Sequence, residues 1–116
     1  MVIKKQILHE QGVLRLLSDV RNKDINKVKL SAANTWKHEQ KKCEICYNLL
    51  KEGKRFVTEA VFSKGLGRAD VLNISDSVAI EIVCSESEES LIRKKAKYPI
   101  DFEVVRVWFV IIVYAI

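Results

Sequence analysis

The chain has 116 residues, 48% apolar and 30% charged, with one Pro and four Gly. This length predicts one domain over 1–116 with a core of its own, and the composition excludes collagenous, Pro-rich and low-complexity chains. Net charge is +5 and uneven: residues 1–55 hold 13 Lys/Arg against 6 Asp/Glu, and residues 56–116 hold 7 against 9. A basic first half suits a polyanion such as nucleic acid, because Lys and Arg release counterions from phosphates. No apolar run reaches the roughly 18 residues of a membrane span, and the first residues lack the apolar stretch of a secretory signal. Three irregularly spaced cysteines point to reduced thiols. The expectation is a cytoplasmic, intracellular protein with no membrane partner.

In chain order, residues 7–21 read as a short helix with Val13, Leu14, Leu17 and Val20 on one stripe. The basic stretch 22–30 is a connection. Ser31 is the expected N-cap of a long helix from Ala32 to about Glu52, stopped by Gly53. The period then changes to two. Residues 55–62 form a strand, 63–67 a turn, 68–74 a second strand, and 78–84 a third, nearly continuous apolar strand of the kind buried on both faces. Ser85 or Ser87 caps a helix that reaches Tyr98 and ends at Pro99, and Val104–Val113 supplies a last, very apolar strand. A meander followed by a helical crossover predicts an α/β fold with a mixed central sheet flanked by helices and an extra helix in front.

Two strands carry a charge where one is costly unless paired or bound to a cation. These are Asp70, in Gly67-Arg68-Ala69-Asp70, and Glu81, in Ala79-Ile80-Glu81-Ile82-Val83. A turn centred between Asn73 and Val78 puts residue 70 opposite residue 81, so the two carboxylates share one cation, and oxygen-only ligands suit Mg²⁺ or Mn²⁺. On the long helix, at about 100° per residue, Cys43, Cys46 and Leu50 fall within about 40° of Glu39. Glu39 therefore sits on the expected core stripe, and Lys37, Lys41 and Lys42 on the exposed side.

Glu39 on a first helix, Gly-Arg-Ala-Asp70 on the second strand and Ala-Ile-Glu81-Ile-Val83 followed by Cys84-Ser85 on the third resemble the PD-(D/E)XK nuclease superfamily. The similarity is to its competence-associated CoiA-like or Holliday-junction-resolvase-like members. The resemblance covers about 32–113 and implies the αβββαβ restriction-endonuclease-like core. It also implies metal-dependent hydrolysis of DNA, with Asp70 and Glu81 as metal ligands and Glu39 as a third, direct or through water. The family pattern puts a lysine at position 83, where this chain has Val83. Of the cations on the following helix, Lys95 falls about 40° from Leu91 and is the expected catalytic substitute, with Lys94 behind it. The implied substrate is double-stranded or branched DNA, touched by Lys37, Lys41, Lys42, Lys64, Arg68 and Lys94, and a homodimer would reach both strands. The alternative function is a catalytically inactive nucleic-acid-binding module that keeps the nuclease fold.

Other signals are weaker. Cys43-Glu44-Ile45-Cys46 is a single pair of thiols, short of the four ligands of a zinc site, and reads as core. His38 reads as a surface histidine at the rim of the site. Gly65-Leu66-Gly67 is a hairpin turn, and Trp36 and Trp108 are packing aromatics.

Overall fold

The computed structural model describes residues 2–18, 20, 22–84 and 86–107. Among these residues, three α-helices, α1 (Val2–Leu14), α2 (Trp36–Lys51) and α3 (Glu88–Lys97), accompany four strands. The strands are β1 (Phe56–Val61), β2 (Arg68–Asn73), β3 (Val78–Val83) and β4 (Asp101–Arg106). They form one sheet in the order β1-β2-β3-β4. The first three are antiparallel, and β4 joins β3 in parallel through the α3 crossover. The protein is thus mixed α/β, a four-stranded mixed sheet flanked by helices.

Alternation along the strands sends side chains to two faces, each with its own apolar cluster. Under α2, Cys46 and Leu49 pack on Phe56, Val71 and Ile80. On the opposite face, Val13 and Leu17 meet Val57, Leu72, Ala79 and Tyr98. Among the described residues, no helix is long and apolar enough to cross a membrane.

Several boundaries differ from expectation. α1 starts at Val2 and ends at Leu14 rather than covering 7–21. Beyond it, Leu17 bridges Phe62 and the Ser18 N–H donates to the Val61 carbonyl at 2.8 Å. Burying Leu17 beside Phe62 prevails over another helical turn. The N-cap of α2 is Thr35, not Ser31, and its hydroxyl accepts from the His38 N–H at 3.2 Å. Ser31 is drawn away because its own N–H donates to Glu39 at 2.9 Å. Gly53 does stop α2, at φ +72, where a side chain would be strained.

Ser87 caps α3. β4 begins at Asp101, directly after the Pro99 turn, instead of at Val104. Its later expected residues, like Trp108 and Ser85, lie outside the described residues. The buried stripe of α2 also sits to one side of the expected one: Lys42, Cys46 and Leu49 are buried, whereas Cys43 and Leu50 are exposed.

Candidate active site between the central strands and two helices

The observed register pairs Val71 with Ile80, Leu72 with Ala79 and Asn73 with Val78. One step further, the same register sets Asp70 opposite Glu81. The Asp70 carboxylate accepts from the Ile82 N–H at 2.8 Å. Glu81 is buried, at 3% exposure. Burial first, and then the neighbouring Asp70 charge, push its carboxyl up to about 7, against weaker opposing effects of Tyr98 and Lys94. The two acids meet at a cavity of about 320 Å³ lined also by Asn34, His38, Arg68, Val83 and Lys94.

Tyr98 anchors this pair from below. Its hydroxyl lies 2.6 Å from Glu81 Oε1 and 2.6 Å from the Arg68 carbonyl oxygen. A phenol has one proton to give; when Glu81 is protonated, it donates to the phenol and the phenol donates to Arg68. The ring is fixed between Phe62 and Phe102, with centroids 4.9 and 5.2 Å away. It also lies so close to Gly67, at φ +111, that a Cβ there would stand 2.7 Å from Tyr98 Cε1. Burial, helped by the Glu81 charge, raises the phenol's own pKa.

Glu39 does not join the other two acids. Its Oε1 accepts from Asn34 Nδ2 at 2.9 Å and pairs with His38 Nδ1 at 2.8 Å; its Oε2 accepts from the Ser31 N–H and Lys42 Nζ, each at 2.9 Å. Burial alone would raise this carboxyl, but the bonds from Lys42, Ser31, Asn34 and His38 outweigh it and hold the group at about 2. With four polar partners, Glu39 acts one residue away. It accepts a hydrogen bond from His38 Nδ1–H and so turns Nε2 toward Asp70 Oδ2, 3.3 Å distant. His38 is therefore no surface histidine; it is 9% exposed and bridges α2 to β2.

The cations are also rearranged. Lys42, expected on the DNA-facing side, is fully buried. It is held by Glu39 Oε2, by Glu59 Oε1 at 2.5 Å and by the Lys29 carbonyl at 3.0 Å. Glu59 reaches it because its backbone adopts φ +49 in mid-strand, an uncommon conformation for a non-glycine residue. Both carboxylates raise the Lys42 pKa against the effect of burial.

Lys95 is exposed and lines a different groove with Leu91, Ile92 and Phe102, not the acid cavity. It is Lys94 that enters the cavity, 3.5 Å from Glu81 Oε2 and 2.7 Å from Glu86 Oε1. Those acids raise its pKa although burial opposes them. Relative to Leu91, Lys94 and Lys95 lie about 60° and 40° to opposite sides, so periodicity alone does not choose between them.

Arg68 lines the cavity and pairs with Glu59 at 3.2 Å. Lys37 and Lys41 line a separate groove with Arg106, and Lys64 sits in the β1–β2 turn at φ +61. From sequence, His38 is expected at the site rim and Lys42 on the DNA side, and no site role is expected of Tyr98 or Glu59; the His38-Glu39 dipeptide opening a helix is the signal that could have pointed inward.

Among the described residues, no three His, Cys, Asp or Glu side chains form a ready-made metal cage. A two-carboxylate set still fits Mg²⁺ or Mn²⁺, which keep water and substrate phosphate oxygens in most of their positions. The proton that burial and repulsion force onto Glu81 is the charge such a cation would replace. Comparison with protein-family models, with curated proteins and with solved structures finds no match to this chain.

Proposed function

We propose that the protein is a metal-dependent nuclease that hydrolyses DNA phosphodiester bonds, built on a restriction-endonuclease-like αβββαβ core. One observation carries this: Asp70 and Glu81 are pressed together at an open cavity with the Lys94 amine beside them. The element order, with β4 parallel to β3 after a helical crossover, supports this reading.

Asp70 and Glu81 would hold Mg²⁺ or Mn²⁺, and His38 Nε2 stands beside the first of these carboxylates, 3.3 Å from Asp70 Oδ2. Glu39 fixes that ring through its other nitrogen. Such an ion would supply a water of lowered pKa and polarise a phosphate oxygen. Tyr98 keeps Glu81 Oε1 fixed and leaves Oε2 toward the cavity. Lys94 offsets negative charge that grows on the phosphate in the transition state.

The test is incubation of the pure chain with plasmid, single-stranded and branched DNA in Mg²⁺ or Mn²⁺. Cleavage that stops in EDTA and in Asp70→Asn is expected. A folded protein that binds Mn²⁺ and leaves every substrate intact overturns the enzyme. Val83, apolar and lining the cavity, favours a second reading in which the protein binds DNA without cutting it. DNA binding by a chain that cuts no substrate is the result that would establish it.

A further inference from the structure

We propose that the outer side of α2 binds single-stranded nucleic acid, with Trp36 as the platform on which an unpaired base stacks. This names the substrate form for the site above and rests on that reading. Trp36, the first residue of α2, is 68% exposed, contrary to its expected packing role. A large indole left in water forgoes much apolar burial. Along the helix, at about 100° per residue, Gln40, Cys43 and Tyr47 follow on the same side. All are exposed, Tyr47 at 62%. Lys51 Nζ stands 5.7 Å from the Tyr47 ring centre, a cation beside the second aromatic.

The flanks of this stripe decide its occupant. Lys37 and Lys41 lie about 100–140° round the helix from Trp36 and line an open groove of about 540 Å³ with Arg106. Glu44, in the same groove, neutralises part of this charge by pairing with Lys41 at 2.9 Å. Further in the same sense, about 200° from Trp36, comes His38 at the acid cavity. Thr35, next to Trp36, also contacts Cys84 of the cavity wall at 3.9 Å.

Round α2 the order is therefore aromatic stripe, basic groove, paired acids. A single strand matches all three, with base faces for Trp36 and Tyr47, phosphates for the lysines, and a phosphodiester at Asp70 and Glu81. A duplex keeps its base faces stacked inside and has none to offer Trp36. A second protein copy suits the surface less well, because lysine is depleted in the cores of protein interfaces.

Binding is measured in EDTA, which prevents metal-dependent cleavage, using the full chain with oligothymidylate and with a duplex of equal length. The single strand is expected to bind more tightly and to quench tryptophan fluorescence. Trp36→Ala should weaken that binding roughly tenfold or more, with Trp36→Phe retaining most of it. Lys37→Ala with Lys41→Ala should flatten the salt dependence. Equal affinity for both DNA forms, unchanged by Trp36→Ala, overturns the proposal. So does a Trp36→Ala protein that binds DNA normally but changes from dimer to monomer in sedimentation. The active-site reading fails separately: Trp36-dependent binding without cleavage in Mn²⁺ defeats it and leaves the stacking platform standing. Equal cleavage of single strands by wild type and Trp36→Ala defeats the platform alone.

Discussion

His38 Nε2 stands 3.3 Å from Asp70 Oδ2, while Nδ1 of the same ring lies 2.8 Å from Glu39 Oε1. One imidazole thus connects a saturated, buried carboxylate on α2 to the carboxylate that β2 presents to the cavity. If the cation site is as proposed, Glu39→Gln weakens Mn²⁺ binding by about 10–100-fold, the usual loss for an outer-shell partner. His38→Ala costs at least as much, and Asp70→Asn abolishes binding. Isothermal titration with Mn²⁺ measures all three, and an unaltered affinity in Glu39→Gln would separate that residue from the site.

Lys94 and Lys95 are neighbours in sequence with opposite expected fates. Lys94→Ala should lower cleavage by about 10²–10³-fold, the loss typical of one charge-stabilising donor. Lys95→Ala should cleave like wild type. Val83→Lys places an amine on a position that lines the same cavity and should restore activity to Lys94→Ala. Initial rates on one DNA substrate at saturating Mn²⁺ compare the variants, and a defect in Lys95→Ala alone would reverse the assignment.

Lys42→Met leaves Glu39 and Glu59 facing each other without their shared ammonium. Removing one partner of a buried ion pair costs about 3–5 kcal/mol, and urea unfolding should register a loss of that size. The salt dependence of DNA binding should stay as it is, since the Lys42 amine never meets solvent. A flatter salt dependence at unchanged stability would return Lys42 to the DNA surface.

Stability should also follow pH through Glu81. Its folded value, about 7, lies above the ordinary 4.5, so the folded protein holds a proton that the unfolded chain releases. The stabilisation is complete below about 4.5 and is lost as pH rises through about 7. Urea midpoints measured from about pH 5 to 8 should carry this falling contribution in wild type and lack it in Glu81→Gln, and Mn²⁺ should oppose the fall. Glu39, held at about 2, has the opposite sign: its contribution is present above about 4.5 and disappears as pH falls toward 2.

Element order and strand pairing were legible because they rest on short-range signals. Gly53, the turn before Val78, and Pro99 each end an element, and the turn length alone sets residue 70 opposite 81. The side of a helix that turns inward was less legible. Cys43 and Leu50 obey the same periodicity as Cys46 and Leu49, and the sheet beneath α2 selects the second pair. Lys42 and Glu39 lie on the selected side because each neutralises the other, a pairing that hydropathy does not register. Tyr98 looked like the end of a helix, and its hydroxyl finds Glu81 only once β2 and β3 have brought the Arg68 carbonyl alongside. The last strand starts ahead of the apolar run because Asp101-Phe102-Glu103 already alternates as a half-exposed edge strand does.

The buried ammonium of Lys42 has a use at the bench. Amine-acylating reagents modify lysines at rates set by exposure, and this Nζ, enclosed by Glu39, Glu59 and the Lys29 carbonyl, is reachable only when α2 lifts from the sheet. Its labelling rate, followed by peptide mass spectrometry against Lys37, exposed and only five residues away in sequence, reports that opening directly.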